Sequence, residues 1–264
     1  MVLSEIWIYP VKSLGGIRLK ASEVEENGLR FDRRWMIVDE NGVFLTQRVI
    51  TKMALIKVGL SMHGLVLANR KDPLNELIIP FDPITAEPVA VSVWDDTVEA
   101  VTVSDEANAW LSSQLNKNVR IVMMPESTRR PADPRYAKHG EAVSFADGFP
   151  FLLISQGSLD DLNARLPEAI EMKRFRPNFV VAGTGPFSED SWKSIRIGGL
   201  QFDIVKPCAR CVLTTINPET GEKGAEPLKT LASFRNVKNK ILFGQNLVGR
   251  ETGTVREGDE ITLM

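Results

Sequence analysis

Through the first hundred residues, apolar and polar positions alternate in short runs broken by turn formers, the period of half-buried strands. The pattern predicts strands over residues 6–9, 35–38, 43–46, 54–60, 65–68, 76–80, 89–93 and 97–101, at the spacing of a barrel or sandwich. Asn41-Gly42 lies between two of these runs and predicts a two-residue hairpin turn, since both residue types tolerate positive φ. The period then changes. Ser104 offers an N-cap, Asp105 and Glu106 suit the positive end of a helix, and Ala107, Trp110, Leu111 and Leu115 share one helical face. This helix is expected to close a first unit.

Residues 125–148 are rich in Arg, Pro and Asp and have no apolar period, which predicts an exposed connection or binding loop near a boundary. Beyond it the sequence predicts a buried strand over 151–154 and a short helix capped by Ser158, with Leu159, Leu162 and Leu166 facing inward. Further strands are expected over 179–182, 195–197, 201–205, 212–216 and 261–264. Gly198-Gly199 makes a tight turn, and Pro227 opens a helix through Leu228, Leu231 and Phe234. The expected class is mainly β with some α, in two units over residues 1–120 and 121–264. At 264 residues, one large β-rich domain is the alternative.

Composition narrows the chemistry. Lys plus Arg is 32 and Asp plus Glu is 34, so the net charge of -2 gives no global reason for a nucleic-acid partner or an anionic membrane surface. No signal peptide and no apolar run long enough to span a bilayer is read in the chain, and the expected location is cytoplasmic. Cys208 and Cys211 are the only cysteines, which excludes a disulfide framework and an iron-sulfur cluster held by about four cysteines of this chain. Electrons, if used, come from elsewhere. His63 and His139 leave little material for a histidine-rich metal site.

Gly183-Thr184-Gly185 after an apolar run, with Asp203 downstream, is the start of a dinucleotide fingerprint. Ser188 stands where its third glycine belongs, and residues 189–193 are too few for the crossover of a βαβ unit, so a plain strand-to-loop turn is the better reading. Cys208-Ala209-Arg210-Cys211 is a C-x-x-C. A redox dithiol is disfavoured because Pro207 precedes it and a β-branched run, rather than a helix, follows. Structural zinc lacks two further ligands. Two readings remain: a lone thiolate beside Arg210, or a pair of buried inert cysteines. Lys12-Ser13, Arg33-Arg34, Arg174, Arg176 and Gln245-Asn246 punctuate predicted strand ends and loops. Convergent cations with short hydroxyl and amide groups are what a phosphorylated heterocycle requires.

Taken together, Ile-Tyr-Pro-Val-Lys12-Ser13, Asp32-Arg33-Arg34-Trp35, Phe175-Arg176-Pro177-Asn178, the segment from Lys206 through Cys211 to Gly221, and Glu226-Pro-Leu-Lys-Thr-Leu form a set. The set, covering nearly the whole chain in order, resembles the MOSC-domain molybdenum-cofactor proteins of the amidoxime-reducing component family. The resemblance implies an N-terminal β-rich MOSC-associated domain and a C-terminal MOSC β-barrel, holding molybdenum between a pterin dithiolene and one cysteine. That cysteine matches Cys211, which would be metal ligand and catalytic residue. Lys12, Ser13, Arg33, Arg176 and Asn178 would hold the pterin and its phosphate, with Ser155, Thr214 and Gln245 as neighbours. Cys208 is assigned no ligand role.

The implied activity is reduction of N-hydroxylated compounds such as hydroxylaminopurines, hydroxylamines or amidoximes. Electrons would come from a separate donor of ferredoxin, flavodoxin or cytochrome b5 type with an NAD(P)H reductase. The C-terminal ferredoxin domain of some bacterial relatives and the N-terminal membrane segment of mitochondrial ones are expected to be absent. The rival reading is a non-enzymatic cofactor carrier or a sulfur-handling protein. No protein general acid is evident, His139 in the Arg-rich loop being the nearest candidate.

Overall fold

The computed structural model describes residues 1–264, and the chain is mainly β with three short α-helices, as the periodicity predicts. Its largest sheet runs Ile261–Leu263, Ser194–Ile197, Leu200–Ala209, Lys240–Gly249, Phe151–Ser155, Phe179–Ala182, Val2–Ile8 and Ile17–Leu19 in spatial order. All neighbours on this path are antiparallel except Phe151–Ser155 with Phe179–Ala182. That one parallel pair needs a crossover, and the helix Gln156–Asn163 supplies it.

The first two strands of the chain therefore lie in a sheet built otherwise from the second half. Ala21–Glu25 likewise pairs with Gly253–Arg256. The rest of the first half forms a four-stranded sheet, Trp35–Val38, Arg120–Met123, Asp96–Thr102 and Pro88–Val93, and a three-stranded meander, Ile56–Leu60, Gly64–Asn69 and Asp72–Pro80. The helix Asp105–Leu115 closes this unit. Ser104 caps it by accepting from Ala107 N, and Asn116 in the left-handed region ends it. Its Ala107, Leu111 and Leu115 bury in the same core as Trp35, Ile37 and Leu67.

Four sequence expectations change. Val43 and Phe44 make single bridges, not a ladder, although the Asn41-Gly42 turn forms with Asp39 Oδ1 accepting from Asn41 N and Val43 N. Ser155, not Ser158, caps the second helix, accepting from Ser158 N. The β-branched run after Cys211 is a 3-10 turn, Val212–Thr215, because the Thr214 and Thr215 hydroxyls donate back to the carbonyls of Cys211 and Val212. Residues 125–148 are irregular but not uniformly exposed: Arg130, Val143, Ser144 and Phe145 are buried there. The ten-residue strand Lys240–Gly249, central to the large sheet, carries no clean alternation and is missed by the pattern.

The second core rests on three aromatic rings from three strands, Phe151, Phe179 and Phe202, with centroids 5.3–5.4 Å apart in stacked and edge contacts. All three are essentially inaccessible to solvent. Phe179→Ala is expected to lower unfolding free energy by about 3–5 kcal/mol in urea titration. A loss below about 1 kcal/mol would contradict this packing.

Candidate active site at Cys211

Three residues from three separate loops adopt left-handed backbone: Ser13 (φ 67) after the opening strand, Arg33 (φ 51) before Trp35–Val38 and Arg176 (φ 59) before Phe179–Ala182. Each such conformation costs a non-glycine residue about 1–2 kcal/mol, so its surroundings must hold it in place. Asp32, 1% exposed, does much of this by accepting from Tyr9 N at 2.7 Å and from Arg33 at 2.6 Å. Arg33 also donates to Asn178 Oδ1 and to the Arg176 carbonyl. Arg176 donates to the Leu14 carbonyl at 2.6 Å. Both guanidinium groups lie over the Tyr9 ring, 4.4 and 4.1 Å from its centroid.

Arg33 and Arg176 line an open cleft of about 820 Å³ together with Lys12, Ser13, Thr46, Arg48, Asp147, Asn178, Arg210, Cys211, Thr214 and Asn246 among others. Five of the lining side chains are cations, Lys12, Arg33, Arg48, Arg176 and Arg210, and Asp147 is the only carboxylate. Lys12 is buried and donates to the Phe145 carbonyl at 2.7 Å and to Asp147 Oδ1 at 2.6 Å. Burial pushes the Lys12 ammonium below its ordinary range despite that partner. Burial, with the neighbouring Arg33 charge, presses Arg176 down to about 10, still a cation at neutral pH.

Cys211 is exposed at the head of the 3-10 turn, and Arg48 Nε donates to its Sγ at 3.3 Å. Arg48 also reaches Asp147 at 3.3 Å and lies 4.5 Å over the Trp94 ring, whose indole N–H donates to Asp147. Arg210, expected beside the reactive sulfur, instead donates to Cys208 Sγ at 3.0 Å and to the Phe175 carbonyl. The cation at Cys211 thus comes from the first half of the chain.

Of the residues singled out in the sequence, Lys12, Ser13, Arg33, Arg176, Asn178, Cys208, Arg210, Cys211, Thr214 and Asn246 come together in this cleft. Ser155 and Gln245 do not line it. Ser155 is fully buried, and its hydroxyl is committed to Glu189 Oε2 and to capping the helix. Gln245 lies within a strand, not in a loop, and donates to Asp190. Side chains alternate along a strand, so its neighbour Asn246 is the one that faces the cleft. Arg48, Asp147 and Thr46 are cleft residues that the sequence reading missed. Only the charge-rich character of residues 125–148 hinted at Asp147. His139 is exposed and outside the cleft lining. No three His, Cys, Asp or Glu side chains cluster as a protein-only metal site, and no helix is long and apolar enough to cross a membrane.

Desolvation opposes ionisation of Asp147, but the charges of Lys12 and Arg48 and the hydrogen bonds from Lys12 and Trp94 outweigh it and hold its carboxyl far below the usual carboxylate range. Its side chain is 61% exposed, so solvent screens these pairs and the stabilisation is modest. A depressed folded-state value means that the contribution is present above the unfolded carboxylate pKa of about 4 and is lost as pH falls below it. Asp147→Asn should therefore melt below the parent at pH 7, with the gap narrowing as pH falls below about 4. A gap that widens in acid would contradict the assignment.

Comparison with known proteins agrees with this architecture. Residues 1–118 match the MOSC N-terminal beta barrel domain and residues 140–262 match the MOSC domain. The mitochondrial amidoxime-reducing component 1 of Mus musculus is 33% identical over 99% of this chain and 82% of its own length, and that of Homo sapiens is 31% identical over 99% and 82%. The molybdenum cofactor sulfurase of Oryza sativa is 32% identical over 92% of this chain, which spans only 32% of that longer protein. With its two MOSC segments in order and end-to-end similarity to these relatives, the chain belongs to the MOSC-domain family that includes the mitochondrial amidoxime-reducing components.

Proposed function

We propose that this protein is a molybdenum-cofactor-dependent oxidoreductase that reduces N-hydroxylated compounds, including hydroxylaminopurines, hydroxylamines and amidoximes, to the amino or amidine form. The observation that carries the reading is Cys211: an exposed thiol opening into a cleft whose other charged groups are five cations and one carboxylate. Cys208 also lines the cleft, half-buried and hydrogen-bonded by Arg210, so Cys211 is the exposed soft donor, and it and the excess of positive charge suit a metal already chelated by an anionic, phosphorylated organic group. They do not suit a bare ion needing several protein ligands.

In this reading Cys211 ligates the metal, while Lys12, Arg33 and Arg176 neutralise the phosphate and Ser13 offers a hydroxyl to the pterin. Bound there, the cofactor supplies two-electron redox chemistry at an N–O bond. Overall, a hydroxylamine, two electrons and two protons give an amine and water. Asn178 Oδ1 accepts from Leu152 N and Arg33, and Nδ2 donates to the Trp7 carbonyl, which leaves one amide N–H for a ligand. Its bond to Arg33 also orients that guanidinium. Thr214 likewise donates to the Cys211 carbonyl and fixes the turn that presents the sulfur. Arg48 holds Sγ by a hydrogen bond from outside. Asp147 is ionised at neutral pH and can accept a proton but not deliver one. Protons reach the site from water through the open mouth, and electrons arrive from a separate ferredoxin, flavodoxin or cytochrome b5 type donor.

The similarity to molybdenum cofactor sulfurases favours a second reading, cofactor carriage or sulfur handling. Turnover separates the two. Metal-loaded protein with a chemical reductant should consume an N-hydroxylated purine; no consumption would leave the carrier reading in its place. Cys211→Ser should lose bound molybdenum and turnover, whereas Cys208→Ser should keep both. Equal molybdenum content in Cys211→Ser and the parent would overturn the assignment.

A further inference from the structure

A second cleft, of about 750 Å³, shares Arg176 and Leu213 with the Cys211 cleft but is otherwise lined by different residues. Four more cations line it: Lys57 and Arg70 from the first half of the chain, and Lys173 and Arg174 from the second. Glu219 ties up two of them, pairing with Arg70 and with Lys173, and Glu171 also pairs with Lys173. Lys57, Arg174 and Arg176 have no carboxylate within ion-pair distance. Arg174 is partly buried and makes no side-chain hydrogen bond; burial pushes its pKa down, and the charge of Glu171 only partly offsets this.

Tyr9 lines the same cleft. It is 1% exposed, and its hydroxyl has no hydrogen-bond partner, an uncommon state for a buried polar group. Trp7 stacks beside it to give an aromatic wall. Gly16 completes the lining, and a Cβ there would collide with the Tyr9 ring, so a small residue is required. Three cations without an ion-pair partner and an unsatisfied buried donor exceed what one carboxylate can satisfy. A phosphate dianion, with more charge and more acceptor oxygens, matches them better.

We propose that this second cleft is a phosphoryl-binding site, in which Arg174, Lys57 and Arg176 supply the charge and the Tyr9 hydroxyl donates a hydrogen bond. The phosphoryl group has two sources: a separate small phosphorylated molecule, or the phosphate of the pterin cofactor reaching past Arg176.

The test is calorimetric titration of inorganic phosphate into the cofactor-free full chain. Saturable binding is expected, and Arg174→Ala and Lys57→Ala should each weaken it about tenfold or more, the loss of one charge-assisted hydrogen bond. Arg48→Ala, on the other cleft, should leave it unchanged. Thermal unfolding of each variant confirms that the fold is retained; Lys57 is exposed and has no side-chain hydrogen bond to lose. Absence of saturable binding, equal affinity in Arg174→Ala and Lys57→Ala, or loss in Arg48→Ala instead would overturn the proposal. Repeating the titration on cofactor-loaded protein distinguishes the sources: binding persists if the ligand is a separate molecule and disappears if the cofactor's own phosphate fills the site. Because the assay reads phosphate alone, its result is independent of whether N-hydroxylated compounds are turned over at Cys211.

Discussion

Like charge is crowded into one cleft, and the structure spends its polar groups on making that tolerable. Lys12, Arg33, Arg48, Arg176 and Arg210 face a common space with a single lining carboxylate. Asp32, behind the cleft, fixes Arg33 and the end of the opening strand together. The Tyr9 ring carries two guanidinium groups, and backbone carbonyls of Leu14, Phe145, Phe175 and Arg176 accept from Arg176, Lys12, Arg210 and Arg33 respectively. The arrangement is electrostatically unfavourable alone and becomes favourable with an anion present. Strained backbone at Ser13, Arg33 and Arg176 belongs to the same arrangement, since left-handed conformations persist only where their surroundings over-determine them.

Interleaving of the two halves makes this convergence mechanically secure. The strand that delivers Tyr9 and Lys12 is hydrogen-bonded into the large sheet beside Phe179–Ala182, so residues far apart in sequence are fixed relative to one another by a continuous ladder. Cys211 gains its only cationic contact from Arg48, in the loop after Trp35–Val38. Neither half holds the sulfur, the phosphate-suited cations and the Arg48–Asp147–Trp94 rim by itself.

The β character of the chain, the helix starting after Ser104 and the segments around Lys12, Arg33, Arg176 and Cys211 are legible in the sequence, because period, capping and motif are local signals. What is not legible depends on tertiary partners. Arg48 looks like any solvated arginine until Cys211 is brought to it. Arg210 is adjacent to Cys211 in the chain, yet its side chain turns to Cys208. Ser155 carries a hydroxyl of the right kind, but a buried Glu189 claims it. Gln245 and Asn246 are equivalent candidates until the strand through them is recognised, whereupon alternation assigns one to each face. The 3-10 turn after Cys211 defeats strand propensity because two threonine hydroxyls bond back to the main chain.

Anomalous diffraction at the molybdenum edge, from crystals of the cofactor-loaded protein, addresses the central claim most directly. A metal peak within bonding distance of Cys211 Sγ, inside the cleft bounded by Lys12, Arg33 and Arg176, is the predicted result. A peak bonded to Cys208, or one lying outside that cleft, would contradict the account.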